Sequence, residues 1–320
     1  MLSRLIPRLA AGAAVILGVV TLTFLLLHLA PGDPAVHLAG PAATPEQLQA
    51  LRAELGLNRP LFNQFADWLG RTVRGDWGTS VATGRPVAQM LGQAWPATAL
   101  LVLTSLLGSY LVGMMIGLWQ VRANRRTDTT LSALSVTLFA MPGYWLGVLL
   151  VWLFAYQLRL LPAFGAQGLD ADFLGPGARL LDRLRHLALP CLTLTLIGLG
   201  GAARFVRGAL LDVRGEAFLV AAEARGLSSS TVARRHLLAN ALGPVVTLLG
   251  LSLPAVFSGA IFVEGIFAWP GVGQILIQAV QARDYPVVMA AATVSAVLVV
   301  LGNLLADGLR AWVDPRIRDA

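Results

Sequence analysis

"TALLVLTSLLGSYLVGMMIGLWQV", residues 98–121, runs for 24 residues without a charged side chain. A helix of that length rises about 36 Å and the hydrocarbon core of a bilayer is about 30 Å thick, so the stretch reads as a membrane-crossing helix. Five more stretches share its character, near 9–29, 131–156, 187–203, 241–263 and 287–306. Of the 320 residues, 56% are hydrophobic and 13% charged, too apolar a balance for an ordinary soluble domain. None of the six runs alternates polar with apolar residues, which argues against a β-barrel. The expected class is an all-α polytopic membrane protein with six transmembrane helices. The first run follows Arg4 and Arg8 as a secretory signal would, but its 21 or so residues exceed the usual 7–15 of a signal core.

Arginine placement sets the expected orientation. With the N-terminus inside, the inner segments 1–8, 122–130, 204–240 and 307–320 hold 14 of the 24 basic residues in about 70 positions. The positive-inside rule then puts both termini and the segment 204–240 in the cytoplasm. Every one of those 24 residues is Arg, and the formal net charge is +7. Without Lys there is no phosphate-cradling P-loop and no Schiff-base amine. Cys191 is the single cysteine, and His28, His37, His186 and His236 are scattered, so neither a metal site nor a catalytic residue is expected. The spans hold essentially no Asp, Glu or His of the kind that couples secondary transporters to ions. Such a chain is either a passive conduit or is driven by another subunit.

Between the first two spans the sequence predicts a small helical cap outside the membrane. Thr44, Pro45 and Gln47 form a capping-box start, Gly56 closes that helix, and Leu48, Leu51 and Leu55 line one side of it. A second amphipathic helix near 60–73 places Leu61, Phe65, Trp68 and Leu69 together. Small residues recur in the spans, as Gly113 and Gly117 and as "GLGGAA" at 198–203; they serve helix packing within the chain or a seam to another subunit. Pro142, Pro190 and Pro254 interrupt the backbone ladder, either as simple kinks or where a span lines a cavity. The mild polar groups Ser252, Ser258 and Asn303, with Pro142 and Tyr144, are the candidate path residues. After the fifth span, Pro270, Gly271 and Gly273 make a turn and a short amphipathic helix ends near Asp284, lying on the outer surface or dipping back as a gate. Glu264, at the end of the fifth span, is either a substrate contact or a helix-end charge at the interface.

"AAEARGLSSSTVARRHLLANAL", residues 221–242, is the unusual element. A helix over 216–225, begun by Glu216 and kept slim by Ala221 and Ala222, is closed by Gly226 in the left-handed region, with Leu227 at the apolar contact of that motif. Ser228 caps a second helix carrying Arg234, Arg235 and His236, while Arg225 ends the first. The product is a bent, basic elbow, suited either to a partner's groove or to solvent.

The same stretch resembles the EAA loop of ABC-importer permeases, with Val220 where that signature carries Glu and His236, Leu238 and Ala239 in place of its tail. The "GLS…RH…NAL" form is that of the dipeptide/oligopeptide/nickel branch. The branch is also suggested by "FLLLHLAPGDPA" (24–35), "LRAELGLNRP" (51–60), "RGDWGTS" (74–80), "ARDYP" (282–286) and "DPRIR" (314–318), in order along nearly the whole chain. The resemblance implies a type I ABC importer permease fold in a prokaryotic cell membrane. Its parts are an N-terminal helix plus cap (1–97) and a permease core (98–320) whose coupling loop is about 204–240. It implies a second homologous permease, two cytoplasmic ATPases that bind ATP and Mg, an extracytoplasmic solute-binding protein and a peptide substrate, with nickel as the alternative cargo. No cofactor in this chain and no nucleic acid are implied.

Overall fold

The computed structural model describes residues 2–29, 34–40, 43–54, 56–214, 216–228, 231 and 239–313. The described residues are almost entirely helical, and the nearest approach to a strand is one isolated antiparallel bridge between Thr79 and Pro86. The helices are α1 (Leu2–Leu29), α2 (Pro34–Ala39), α3 (Pro45–Glu54), α4 (Leu61–Val73), α5 (Val87–Arg122), α6 (Arg125–Ala140), α7 (Gly143–Leu150), α8 (Pro176–Arg214), α9 (Ala217–Ala224), α10 (Ala239–Ile266), α11 (Val272–Gln281) and α12 (Tyr285–Val313). Among the described residues four helices are long and apolar enough to cross a membrane, Ile6–Leu29, Val87–Arg122, Pro176–Val213 and Tyr285–Leu305. A fifth crossing arises if α6 and the helix after it count as one span. The expected run 241–263 lies within the 28 residues of α10.

The expected third span is not one rod. Its two halves, Arg125–Ala140 and Gly143–Gln157, meet at 103°. Pro142 has no N–H and forces the residue before it out of the helical region. Met141 accordingly sits at φ −71°, ψ 133°, and α6 ends there. After α7 the chain loosens into a π-helix over Val151–Gln157, where Leu158 N–H reaches back to Leu153 O at 2.9 Å. Pro190 and Pro254, by contrast, stay inside continuous helices.

Packing groups the chain into two units, residues 1–98 with 270–300, and residues 99–269 with 301–320. In the first, Val87, Leu91 and Ala94 of α5 pack with Val272 and Ala279 of α11 and Val287, Val288, Ala290 and Ala291 of α12. Thr98 Oγ1 accepts the Val272 N–H at 2.9 Å, which starts α11 at Val272 and leaves Gly273 inside the helix rather than in the preceding turn. Phe65 and Trp68 of α4 pack on Val20, Phe24 and Met289. The capping box forms as expected: Gln47 N–H donates to Thr44 Oγ1 at 3.3 Å and Thr44 N–H to Gln47 Oε1 at 3.0 Å. Gly56 takes φ +69° and closes α3 through Leu57 N–H to Arg52 O at 2.9 Å. The side chains of α3 are nonetheless not buried, so its leucine face packs less deeply than the pattern implies.

In the second unit, α8 is the central post. A Cβ on Gly113 would stand 2.8 Å from Ala202 Cβ, and one on Gly117 would stand 2.8 Å from Val206 Cγ1. The pair therefore seats α5 on α8 of the same chain. Ser109 Oγ ties the same helices through Thr195 O at 3.0 Å. A Cβ on Gly200 would collide with the Ser135 carbonyl of α6. Arg207 clamps α6 to α8 by two bonds to Asp128, Nε to Oδ1 at 2.7 Å and Nη2 to Oδ2 at 2.6 Å.

Candidate functional site

The elbow begins where α8 ends. Glu216 is exposed and stands at the start of α9, its carbonyl accepting Leu219 N–H at 3.0 Å, so the helix runs from Ala217 rather than from Glu216 itself. Leu219 and Ala222 are buried against Val213, which fixes α9 on its root. Gly226 has φ +78°, and Leu227 N–H reaches Ala222 O at 3.4 Å, the long bond of a Schellman stop. Ser228 Oγ accepts Thr231 N–H at 3.4 Å, as a helix cap does. Ala221, Ala224, Arg225 and Leu227 are exposed, and Leu227 keeps 40% of its surface open although it is apolar. Arg234, Arg235 and His236 lie outside the described residues. A short helix with a defined stop and a bare small-residue face has the shape of an insert for a groove.

A cavity of about 600 Å³ opens among α5, α6, α8 and α10. Its polar wall is Ser109, Tyr110, Arg204 and Ser252, and Gly198 and Gly201 widen it. Ser252 donates to Leu248 O at 2.9 Å, so the Tyr110 hydroxyl is the donor in the 2.6 Å bond to Ser252 Oγ. Arg204 lies 4.5 Å over the Phe139 ring and donates to Gly200 O at 3.3 Å. The cation is thus held by an aromatic face and a carbonyl, without a carboxylate in the cavity wall.

Of the five candidate path residues, the structure brings Ser252 alone to this cavity. Pro142 makes the helix break and lines a separate shallow hollow with Thr137 and Trp145. Tyr144 is 61% exposed, and Ser258 and Asn303 also face outward. Tyr110, Phe139 and Arg204 were not among the candidates. Arg204, the first charge after 187–203, was the available signal.

Glu264 is fully buried in the last turn of α10 rather than standing at an interface. Its carbonyl accepts Trp269 N–H at 2.9 Å around Ala268, a non-glycine residue at φ +46°. The turn falls at Phe267 and Ala268, and Pro270 and Gly271 then lead into α11, with the Gly271 backbone extended at φ −104°. Asp284 is buried and receives the Ser80 hydroxyl, Val81 N–H at 3.1 Å and Ala82 N–H at 3.2 Å. The carboxylate thereby gathers the loop 80–84 as a bound anion would.

Residues 109–319 match the family described as binding-protein-dependent transport system inner membrane component, and residues 1–113 match its N-terminal companion. The oligopeptide transport system permease protein AppB of Bacillus subtilis is 35% identical over 99% of both chains. The glutathione transport system permease protein GsiC of Escherichia coli K12 is 36% identical over 99% of both. The protein named "Probable D,D-dipeptide transport system permease protein DdpB", also of Escherichia coli K12, is 38% identical over 95% of this chain and 94% of its own. Among solved structures, the MetNI methionine ABC transporter aligns with TM-score 0.56 at 18% identity, over 72% of this chain and 98% of the other. An amino acid ABC transporter aligns with TM-score 0.52 at 14% identity, over 70% and 94%. Those two likenesses concern the fold.

Proposed function

Because this chain belongs to the family of binding-protein-dependent transport system inner membrane components, we propose that it forms half of the translocation path of an ATP-driven importer of di- or oligopeptides. It is a multi-pass bacterial inner-membrane protein and a transport subunit. In this reading it crosses the membrane six times with both termini in the cytoplasm. A second homologous permease supplies the other half, two cytoplasmic ATPases bind ATP and Mg, and an extracytoplasmic binding protein delivers the cargo.

The observation that carries the reading is the elbow. Gly226 and Ser228 give it a stiff corner, buried Leu219 and Ala222 root it, and its outer face is left bare. Force applied there by closing ATPases enters α8 and α10 directly and tilts the helices around the cavity between inward- and outward-facing states. The cavity chemistry supports a short-peptide cargo: the Ser252 and Tyr110 hydroxyl oxygens can accept from backbone amides, and Arg204 can meet a carboxylate. The oligopeptide, dipeptide and glutathione names of the relatives support the same cargo class.

Proteoliposomes holding the full complex test it. Uptake of labelled di- and tripeptides is expected only with ATP and the binding protein present. Flux through this chain alone, without nucleotide, would make it a passive conduit and overturn the proposal.

A further inference from the structure

A second cavity, of about 200 Å³, lies in the first unit, where the apolar run of α1 ends and that of α12 begins. Its composition is graded. Buried Phe24 and Met289 with half-buried Leu27 make an apolar floor, half-buried Trp68 and Tyr285 line it too, and, among the described residues, Arg59, Arg71 and Arg283 are set against a single acid, Asp67. The walls are fixed: Tyr285 Oη donates to Leu27 O at 2.8 Å, and His28 bridges Phe24 O at 2.8 Å and Gln64 Oε1 at 3.2 Å.

Among the described residues, the charges lining the pocket are not balanced. Arg59 is committed to Asp67 at 2.6 Å. Among the described residues, the guanidiniums of Arg71 and Arg283 meet no acceptor, and Arg283 is presented from a left-handed backbone at φ +53°. A non-glycine residue held there is a conformational cost that persists only where the surroundings fix it. On the helices that supply the pocket's lining, Leu29 of α1 is 78% and Phe62 of α4 79% exposed. From buried Phe24 and Met289, through half-buried Trp68 and Tyr285, to half-buried Arg283 and exposed Arg71, the lining passes from hydrocarbon through aromatic rings to positive charge, as a bilayer surface does. A water-soluble acidic partner would match the arginines but not the floor or the exposed Leu29 and Phe62.

We propose that this pocket binds the phosphate of an anionic phospholipid through Arg71 and Arg283, with the acyl chain running along Phe24, Leu27 and Met289. The site shares no residue with the larger cavity or the elbow, and the proposal does not depend on the cargo or on the ATPases. It makes the cap sensitive to the lipid composition of the leaflet it touches.

The test is lipid retention by the full chain, purified with the subunits that accompany it and read by native mass spectrometry in mixed micelles. The wild type is expected to hold phosphatidylglycerol in preference to phosphatidylcholine. The double variant Arg71→Gln with Arg283→Asn, the Asn chosen because it tolerates the left-handed backbone, is expected to lose about 30-fold in phosphatidylglycerol affinity. Arg71→Lys with Arg283→Lys keeps the charge and is expected to keep most of the binding, which separates lost contact from lost folding. Equal retention of the two lipids, or unchanged retention in the Gln/Asn variant, would overturn the proposal. Displacement of the lipid by millimolar inorganic phosphate would assign the pocket to a soluble anion and overturn it too. So would a variant that holds lipid normally but no longer binds the extracytoplasmic delivery protein.

Discussion

Asp284 and Ser80 are 204 residues apart in sequence, yet the Ser80 hydroxyl donates to the Asp284 carboxylate in a buried contact. Ser80 Oγ in turn accepts Thr83 N–H at 3.0 Å and Thr83 Oγ1 at 2.8 Å, while Gly84 N–H closes onto Ser80 O at 2.8 Å. One carboxylate therefore organises the whole turn that follows "RGDWG", and the same residue starts α12 by accepting Val288 N–H at 3.0 Å.

Asp284→Ala leaves that turn's donors facing a hole. Each charge-assisted bond is worth about 1.5–3 kcal/mol and the set is not additive, so a loss of roughly 3 kcal/mol is expected, with Ser80→Ala costing roughly 1–2. Hydrogen exchange at Val81 and Ala82 should accelerate in both variants. Unchanged protection at those amides would show that the turn holds itself.

Gly226→Val places a β-branched side chain at φ +78°. The left-handed penalty is about 1–2 kcal/mol for any residue with a Cβ, and more for a branched one. Membrane insertion should survive, since the elbow is exposed, but ATP hydrolysis should no longer drive uptake. Parallel ATPase and uptake assays on reconstituted complexes measure this; intact coupling would remove the elbow from the mechanism.

The glycine seam can be probed by graded alanines. Gly200→Ala should be the worst, because its Cβ meets the Ser135 backbone; Gly117→Ala, 3.1 Å from Arg207 N, should cost about 1–3 kcal/mol. Gly18→Ala, with open space around it, is the control and should be neutral or slightly stabilising through helix propensity. Thermal unfolding in detergent ranks the three.

Arg207 and Asp128 are 33% and 23% exposed, so solvent weakens the pair despite its two bonds. A double-mutant cycle should return a coupling of roughly 1 kcal/mol, the upper end for a pair that water reaches. Arg207→Lys cannot form both bonds and should lose most of it.

What the sequence made legible was local. The capping box at Thr44 and Gln47, the left-handed glycines at 56 and 226 and the cap at Ser228 depend on neighbours within a few residues, and the expected hydrogen bonds are present. The long apolar runs followed from composition, and Gly113 and Gly117 found their partner within the chain. Pro142 announced a break but not its size, because the 103° turn also depends on what packs around α7. The cavity was hardest to foresee. Polarity selected Ser252, Ser258 and Asn303, yet which face of a helix lines this cavity depends on how it is rotated against its neighbours; Tyr110 and Arg204 join Ser252 in the wall, while Ser258 and Asn303 are exposed. The sequence leaves Glu264 as a substrate contact or a helix-end charge at the interface, because burial of a carboxylate leaves no mark on the flanking residues.

The association of residues 270–300 with residues 1–98 has a consequence for biogenesis. On the ribosome, the first hundred residues emerge long before their packing partners exist. At about 5–20 residues per second, the wait for residue 270 lasts roughly ten to thirty seconds. Throughout it Val87, Leu91 and Phe24 lack the α11 and α12 side chains that cover them in the finished molecule. The nascent N-terminal third must be sheltered by the insertion machinery or by lipid, and premature truncation before Asp284 should yield a product that is membrane-inserted yet rapidly degraded.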